Sequence, residues 1–243
     1  MALIDVINFR KSFGPKVIHQ DVSFYVRKGE CLGLVGGSGA GKSVILRSLI
    51  GLEKPDSGQI LIDGVDITPF NEKELIPIRK KVAYAFQGGA LFDSMTVYEN
   101  LAYPLRAHTD LAEPAIADKI HHQLAEFGLE KSINLYPGEL SGGMQKRIGL
   151  ARAVIMQPDI ILYDEPTAGL DPHNTKKIQE LILRLKATGV TAILVTHDIP
   201  TAMAVCDKFA FLKDKVIAEQ GTIDQLKSRD NSLIQQFIEG NIL

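Results

Sequence analysis

A glycine-rich segment, GGSGAGKS at residues 36–43, constrains this chain more than any other feature of its sequence. It follows the apolar run at residues 31–35 and precedes a helix-forming stretch at residues 43–49. Glycines let the backbone turn tightly and approach a ligand closely, and the N–H groups that open a helix attract phosphate. A strand, a glycine loop and a helix in this order are typical of a phosphate-binding loop. We therefore expect a nucleotide site between a buried strand and a helix.

Each part of this loop has its own expected role. The first six residues should cradle the phosphates with their backbone, while Lys42 reaches the outer phosphates as a point charge. The Ser43 hydroxyl should bind a Mg²⁺ ion that bridges those phosphates. A plain strand-to-helix turn would also need glycine, but it leaves Lys42 and Ser43 unexplained. The expected cradle consists of Gly36, Gly37, Ser38, Gly39, Ala40 and Gly41.

Short apolar runs along the chain predict the strands of an α/β core. Runs of this kind are typical of parallel strands that are buried on both faces. They lie at residues 31–36, 82–86, 160–163 and 191–196, and most of them are followed by helical patterns. Three earlier segments instead alternate between polar and apolar residues, as half-buried antiparallel strands do. These segments are residues 3–9, 22–26 and 58–64.

The fold class predicted from these patterns is α/β, a P-loop NTPase core with a parallel sheet, in a single domain of 243 residues. Residues 1–87 and 158–221 should form the core together with an N-terminal antiparallel β-subdomain. Residues 88–157 should form an inserted helical subdomain, and residues 222–243 a tail of two short helices. The tail carries an apolar face that packs either on its own domain, the favoured alternative, or on a neighbour. That face consists of Leu233, Ile234, Phe237 and Ile238.

Composition narrows the class of partner and the compartment. A net charge of −2, from 27 basic and 29 acidic residues, gives no general attraction to nucleic acid or to an anionic membrane. No apolar run approaches the roughly 18 residues of a spanning helix, and the first residues lack a signal-peptide pattern. We therefore expect a cytosolic chain. Cys31 and Cys206 stand alone in apolar surroundings, which favours small core residues over disulfide partners or metal ligands.

The run ILYDE at residues 161–165 ends a buried strand with two acids. Such charges are costly unless they meet a cation or a ligand that carries a proton. Asp164 should reach the Mg²⁺ ion through its water shell. Glu165, which would point to the opposite side in an extended chain, should accept a proton from the attacking water. By itself the pair could instead be a helix N-cap before Pro166.

The hexapeptide LSGGMQ at residues 140–145 lies between the phosphate loop and the acidic strand, and with it the chain resembles the ABC ATPase family over nearly its whole length. A helix should begin at Ser141, where a hydroxyl and bare glycine N–H groups offer a second anion site. As a bare string this would be a plain helix start. The resemblance implies a head-to-tail dimer in which Ser141, Gly142 and Gly143 of one chain close on ATP held by the other.

The resemblance also implies roles for four isolated residues. Gln87 corresponds to a glutamine that contacts Mg²⁺ or the lytic water, and Asp171, in AGLDP, to a loop that crosses the dimer interface. His197, in VTHD, corresponds to a histidine that contacts the γ-phosphate and the catalytic glutamate, although alone it would be an ordinary strand-end histidine. Phe13 stands where the family stacks an aromatic ring on adenine.

Two positions depart from the family pattern. Met144 occupies the fifth position of a motif that commonly reads LSGGQ, which puts a polar contact by that residue in doubt. Phe13 replaces a more frequent tyrosine, which removes a hydroxyl but keeps the π-face used in stacking. We expect little loss of ATP binding from the change at Phe13, and the anion-binding part of LSGGMQ is intact.

A single cassette of this length implies separate membrane subunits, and the stretch from Gln87 to Arg106 exposes aromatic and apolar residues where the family receives its permease. Part of this stretch must be ordinary core. It resembles the ATPases of Mce-associated systems, including the Mla type that moves phospholipids between bacterial membranes. That implies an Mce-domain protein as a further partner and a peripheral position on the cytoplasmic side of the inner membrane.

Other functions stay open at this point. An importer or exporter of another substrate has the same sequence pattern, and so does a lone-cassette ATPase of iron–sulfur cluster assembly. ABC proteins of DNA or ribosomes usually bring a coiled coil, zinc cysteines or two cassettes, so no nucleic-acid partner is expected. A nucleotide sensor without hydrolysis is disfavoured because Glu165 and His197 are both present.

Overall fold

The structure, a computed structural model of the chain, describes residues 2–227 and 233–239. Within these residues ten strands form one sheet. In chain order the strands are β1 Ala2–Phe13, β2 Lys16–Arg27, β3 Cys31–Gly36, β4 Ser57–Ile62, β5 Val65–Asp66, β6 Val82–Ala85, β7 Ile160–Asp164, β8 Thr191–Val195, β9 Lys208–Lys213 and β10 Val216–Thr222. Across the sheet the order is β5-β4-β1-β2-β10-β9-β3-β8-β7-β6.

The helices occupy the remaining chain between and after these strands. They are α1 Lys42–Ser48, α2 Glu72–Lys81, α3 Val97–His108, α4 Glu113–Glu126, α5 Gly142–Val154, α6 Pro172–Ala187, α7 Ile199–Val205, α8 Ile223–Lys227 and α9 Leu233–Ile238. Two short 3₁₀ turns, Glu130–Ser132 and Pro137–Glu139, connect α4 to α5.

The sheet has a parallel half and an antiparallel half. Strands β9, β3, β8, β7 and β6 pair in parallel, whereas β2, β1, β4 and β5 pair antiparallel. The two halves meet at β10, which is antiparallel to β9 and joins β2 through the pair Val216↔Asp21. The predicted α/β class is confirmed, with the antiparallel strands at the N-terminus.

The parallel strands are buried on both faces, as their continuous apolar runs require. In β3, Cys31 and Val35 pack into the core beneath helices α3–α7, and Leu32 and Leu34 pack into the core beneath α1 and the antiparallel strands. All six residues of β3 are buried. Burying one leucine of this kind contributes about 1.5–3 kcal/mol, so the strand that carries the phosphate loop is firmly seated.

Local signals position the helices. Thr96 and Glu99 form the predicted capping box at the start of α3. Ser141 caps α5 and accepts a hydrogen bond from the Met144 N–H. The predicted helix over residues 172–187 is α6, and the helix after the phosphate loop begins at Lys42 rather than Ser43. Side-chain oxygens satisfy N–H groups that have no partner inside a helix.

Three strands and one packing relation differ from the sequence prediction. Strands β5, β9 and β10 are not anticipated; β5 has only two residues and β10 is half exposed. Cys31 and Cys206 are buried free thiols, as expected, but they do not stand alone: their Sγ atoms are 3.7 Å apart. Burial raises the pKa of the Cys206 thiol.

The described part of the tail forms α8 and α9, the two predicted short helices. Leu233 packs against the core and α9 contacts β9 and β10, which agrees with packing on its own domain. The side chains of Ile234, Phe237 and Ile238 lie outside the described residues. Across the described ranges, no helix is both long enough and apolar enough to cross a membrane.

Candidate functional site

The glycine-rich loop joins the carboxyl end of β3 to the start of α1. Gly36 has a φ of 153°, and a Cβ there would lie 2.4 Å from the Leu212 carbonyl oxygen, so no larger residue fits. The loop turns at the Gly37 carbonyl, which accepts a hydrogen bond from the Ala40 N–H, and Gly41 enters the helix in a left-handed conformation. The result is a backbone cradle at a helix N-terminus, a geometry suited to phosphate.

Lys42 is folded back over this cradle. Its Nζ donates to the carbonyl oxygens of Gly36 at 2.8 Å and Gly37 at 3.0 Å, and the side chain is buried. Burial lowers the pKa of the Lys42 ammonium, and the charges of Glu165 and Asp164 act in the opposite direction. A buried cation at the backbone cradle is held where an anionic ligand would reach it.

Ser43 and Asp164 lie together, as the sequence predicts. The Ser43 Oγ donates to Asp164 Oδ1 at 2.8 Å. Asp164 Oδ2 accepts a second hydrogen bond, from the Tyr84 hydroxyl at 2.7 Å. Burial and the neighbouring carboxylate raise the pKa of Tyr84, so it stays a donor. Tyr84 lies on β6 next to β7, and sequence alone gives no sign of this partnership. A hydroxyl beside a carboxylate is a set of hard oxygen ligands that suits Mg²⁺.

Glu165 adopts a conformation that its sequence does not reveal. Its φ is 51°, in the left-handed region, so the expectation of an extended chain at this residue is wrong. The turn is held by a hydrogen bond from the Glu165 N–H to the Val195 carbonyl at 2.8 Å. Such a conformation costs free energy in a non-glycine residue and is common at functional sites. It turns the carboxylate toward the loop that follows β8.

That loop brings His197 to Glu165. The His197 Nδ1 lies 2.9 Å from Glu165 Oε2, and the His197 N–H approaches the same oxygen at 3.3 Å. The carboxylate is mostly buried, with 16% of the side chain exposed, whereas 71% of the histidine side chain is exposed. The structure therefore pairs the two residues, with the carboxylate inside and the imidazole at the surface.

The other predicted site residues lie at the surface with local contacts. Gln87 is exposed in a turn after β6, which ends at Ala85. Phe13 ends β1 with 45% of its surface exposed, and the Lys11 ammonium lies 4.9 Å from its ring centroid. Asp171 caps α6 by accepting from the Asn174 N–H at 3.0 Å, and these hydrogen bonds lower the pKa of Asp171.

The LSGGMQ segment presents a small, exposed surface. Ser141 and Gly142 are exposed at the start of α5, while Gly143 is buried so closely against Asn174 that a Cβ would lie 2.7 Å from the Asn174 Cγ. Met144 is half-buried and packs on the core. Gln145 turns inward and donates to the Pro137 carbonyl at 2.8 Å. The exposed part of the motif is therefore the hydroxyl and the first glycine.

Lys146 belongs to the site and has no counterpart in the sequence reading. Its Nζ donates to the Ala168 carbonyl, in the loop that follows Glu165. Burial lowers the pKa of this ammonium, and the nearby Glu165 charge opposes that effect. The same loop is held from its other side, because Thr167 Oγ1 donates to Asp198 Oδ2 at 3.1 Å. The loop after the candidate catalytic carboxylate is thus tied both to α5 and to the segment of His197.

The turn after Gln87 rests directly on helix α5. A Cβ at Gly149 would lie 2.5 Å from the Gly89 Cα, so the two backbones touch. Arg152, one turn along the helix, donates to the carbonyls of Gly89 at 3.3 Å and Ala90 at 2.7 Å. The guanidinium lies 5.1 Å from the ring centroid of Phe92, which is 42% exposed. The turn and the helix that carries LSGGMQ therefore form one unit.

Comparison with known proteins shows the family of this chain. The family profile described as "ABC transporter" matches residues 19–168, which contain the glycine loop, LSGGMQ and Glu165. The chain belongs to the ABC transporter family. The matched part of this ABC protein ends at Ala168, the residue whose carbonyl receives Lys146.

Bacterial relatives match almost the whole chain. The Escherichia coli (strain K12) intermembrane phospholipid transport system ATP-binding protein MlaF is 38% identical over 239 residues, 98% of this chain and 89% of the relative. The Mycobacterium tuberculosis (strain H37Rv) protein named "Probable ribonucleotide transport ATP-binding protein mkl" is 44% identical over 98% of this chain and 66% of the relative. This ABC protein thus spans about two thirds of the mycobacterial relative.

Solved structures share the fold, and one of them holds reaction products. An ATP-binding cassette in a dimeric post-hydrolysis state with ADP and phosphate matches with a TM-score of 0.84 and 30% identity, over 90% of this chain and 98% of that chain. A subunit of the cbiONQ ABC transporter complex of Clostridium perfringens matches with a TM-score of 0.84, 27% identity, and 97% and 94% coverage. The chain is an ATPase that uses ATP with Mg²⁺, and the cradle and the Ser43–Asp164 oxygens fit both ligands.

Proposed function

We propose that this ABC protein is the ATP-hydrolysing subunit of a transporter that moves phospholipid between bacterial membranes, and that it works on the cytoplasmic face of the inner membrane. The observation that supports phospholipid as the cargo is the match to MlaF, which is named for phospholipid transport and is covered over 89% of its length. A ribonucleotide cargo is the second candidate, because the mycobacterial relative with that name is 44% identical. Phospholipid is favoured because the match spans more of the relative.

The contacts of the site support the catalytic roles that we propose. The backbone of residues 36–41 and Lys42 hold the phosphates, and Ser43, Asp164 and Gln87 serve Mg²⁺, which would neutralise the phosphate oxygens. Glu165 accepts the proton of the attacking water. His197, with Nδ1 at 2.9 Å from the carboxylate, holds Glu165 in place and keeps Nε2 for the γ-phosphate. Phe13 stacks on adenine with its exposed ring face.

A second copy of the chain completes the site. Ser141 and Gly142 are exposed at the N-terminus of α5, where N–H groups and the helix dipole favour an anion. Their contacts are to α5 itself, so they are available to ATP on a partner subunit. Asp171, exposed at the start of α6, lies at the same interface. A head-to-tail dimer is supported by the dimeric cassette that shares this fold.

The permease docks on the surface from Gln87 to Arg106. Within this stretch Val97 and Leu101 are core residues, whereas Phe92 and Tyr103 are 42% and 50% exposed and stack edge to face at 5.2 Å. Tyr103 also lines a surface cavity of about 520 Å³. The other lining residues are Ser94, Met95, Glu99, Arg106 and Ala107. An exposed aromatic pair with one ring in the wall of a cavity is a suitable docking site for a helix of a membrane subunit.

Purification of the tagged chain from membranes in detergent tests this function. We expect a complex with a multi-spanning permease and an Mce-domain protein, and phospholipid identified in it by mass spectrometry. The reconstituted complex should transfer labelled phospholipid between vesicles when ATP is added. Transfer of ribonucleotide alone would support the second candidate, and a soluble partner without any membrane protein would contradict a transport role.

A matched pair of surface variants tests the docking site. Replacing both Phe92 and Tyr103 with serine should release the permease, while the isolated chain binds ATP as before. Leu183, which is 41% exposed on α6, is a control of similar exposure outside the stretch. Loss of the permease with Leu183→Ser, or retention with the double variant, would place the docking surface elsewhere.

A further inference from the structure

A histidine lies directly beneath the phosphate loop. His19 is fully buried on β2, although strict alternation from the inward residues Val22, Phe24 and Val26 would turn it outward. A register shift between the pairs Phe9↔Val22 and Lys11↔His19 brings it inward. Its ring packs against Phe9, with centroids 5.5 Å apart and planes inclined by 55°. An apolar side chain would fill this space without the free-energy cost of burying a polar ring.

The hydrogen bonds of the ring define its tautomer. His19 Nε2 lies 3.1 Å from the Gly41 carbonyl oxygen, which can only accept, so Nε2 carries a proton. His19 Nδ1 is buried and has no hydrogen-bond partner among the described residues. A proton on Nδ1 would add a buried donor and a charge with no partner, so the ring is neutral. In agreement, burial lowers the pKa of His19.

The hydrogen bond from His19 ends at Gly41, the last glycine of the phosphate loop. Gly41 has a φ of 92°, and a Cβ there would lie 2.7 Å from His19 Nε2 and 2.5 Å from the Ile18 Cγ2. The loop backbone therefore rests on the side chains of two consecutive β2 residues. The Gly41 carbonyl also accepts from the N–H groups of Val44 at 2.9 Å and Ile45 at 3.3 Å, so the imidazole is a further donor to the same oxygen.

Peptide geometry transmits this anchor to the nucleotide. The Gly41 carbonyl and the Lys42 N–H belong to one planar trans peptide, in which the two groups point in opposite directions. A donor that fixes the carbonyl toward β2 consequently fixes the Lys42 N–H away from β2, toward the cradle. This N–H is in the first turn of α1 and has no acceptor within the helix.

We propose that His19, as the neutral Nε2–H tautomer, is a positioning residue of the phosphate loop that aims the Lys42 N–H at the bound triphosphate. It acts through the Gly41 peptide and touches no reacting atom. The inference rests on the proposed role of residues 36–43 as the phosphate loop. It adds a residue outside that loop on which ATP affinity depends.

The test compares ATP binding and steady-state hydrolysis of the full chain with His19→Phe, His19→Gln and Phe9→Leu. Loss of one hydrogen bond corresponds to a change of about three- to ten-fold. His19→Phe should therefore raise the Kd and KM for ATP by about that factor, with kcat at saturating ATP nearly unchanged. His19→Gln, which keeps an N–H donor, should recover most of the affinity. Phe9→Leu disturbs the same core but spares the bond, so it should leave KM unchanged.

Nitrogen-15 NMR of labelled histidine reads the tautomer independently of whether any variant folds. We expect a protonated Nε2 and an unprotonated Nδ1 at neutral pH. A protonated Nδ1, an unchanged affinity in His19→Phe, or an equal rise of KM in Phe9→Leu would each overturn the proposal. If Lys42→Ala also leaves ATP affinity unchanged, the assignment of the phosphate loop fails instead.

Discussion

Replacing Asn100 with alanine should destabilise the fold and loosen the surface proposed to receive the permease. Asn100 lies on α3, is fully buried, and organises the loop before that helix. Its Oδ1 accepts from the Phe92 N–H at 2.9 Å and from Arg152 at 3.2 Å. Its Nδ2 faces the carbonyl oxygens of Phe92, Met95 and Thr96 at 3.0–3.1 Å. Three acceptors around Nδ2 and two donors at Oδ1 leave only this orientation of the amide.

The magnitude follows from these bonds. An amide has two N–H groups, so about four full hydrogen bonds exist at once, each contributing about 1 kcal/mol. Water can reach part of the loop in the variant, which lowers the expected loss to about 3 kcal/mol. Asn71→Ala, which removes an exposed N-cap of α2, is the control and should cost about 1 kcal/mol.

Chemical denaturation measures both variants, with the slope m unchanged and the midpoint shifted. Asn100→Asp gives a sharper test, because an ionised carboxylate would face three carbonyl oxygens. Its folded-state pKa should lie above its unfolded value, so the folded state binds more protons and stability falls as pH rises. A loss below about 1 kcal/mol for Asn100→Ala, or an aspartate variant with the pH dependence of the wild type, would refute this account of the loop.

Three further predictions concern the site. Glu165→Gln should keep ATP affinity but lower turnover on the order of 10²-fold or more, as judged by nucleotide titration and phosphate release; undiminished hydrolysis would reject it as the base. Lys146→Met should lower the free energy of unfolding by about 1–2 kcal/mol and lower turnover, whereas Lys146→Arg should restore part of both. A methionine variant with unchanged stability and turnover would show that the hydrogen bond to Ala168 has no role. Burial lowers the pKa of His19 in the folded state. The unfolded state, in which the pKa of His19 is about 6.5, therefore binds more protons at acidic pH, and the free energy of unfolding falls as pH falls, by at most about 1.4 kcal/mol per pH unit. His19→Phe should flatten the pH dependence of the free energy of unfolding in this range, and an unchanged dependence would contradict the neutral buried ring.

Sequence reasoning succeeds where a function requires adjacent residues. The phosphate loop, the acidic end of β7 and the start of α5 at Ser141 are local patterns, so their chemistry and their secondary structure are readable together. The contact between Ser43 and Asp164 could also be anticipated, because two parallel strands place their carboxyl ends at one edge of the sheet.

It fails where the contact is made across the fold or where the backbone is unusual. Tyr84 supports Asp164 from the next strand, and Lys146 reaches the loop after Glu165 from α5, without any spacing that marks them. The positive φ of Glu165 is set by tertiary structure and not by residue preference. His19 lies inward because the register of β2 shifts between His19 and Val22, so strict alternation along the strand does not reveal its contact with Gly41.

The contact between Gly89 and Gly149 separates what can vary in this chain from what cannot. The two backbones meet without a side chain between them, so any substitution at either position meets backbone atoms at 2.8 Å or less. Adaptation to a different membrane subunit would therefore have to proceed through exposed residues such as Phe92 and Tyr103. The packing of the Gly89 loop against α5 would be inherited unchanged. Lineages that exchange transport partners should therefore keep this pair of glycines while their aromatic surface diverges.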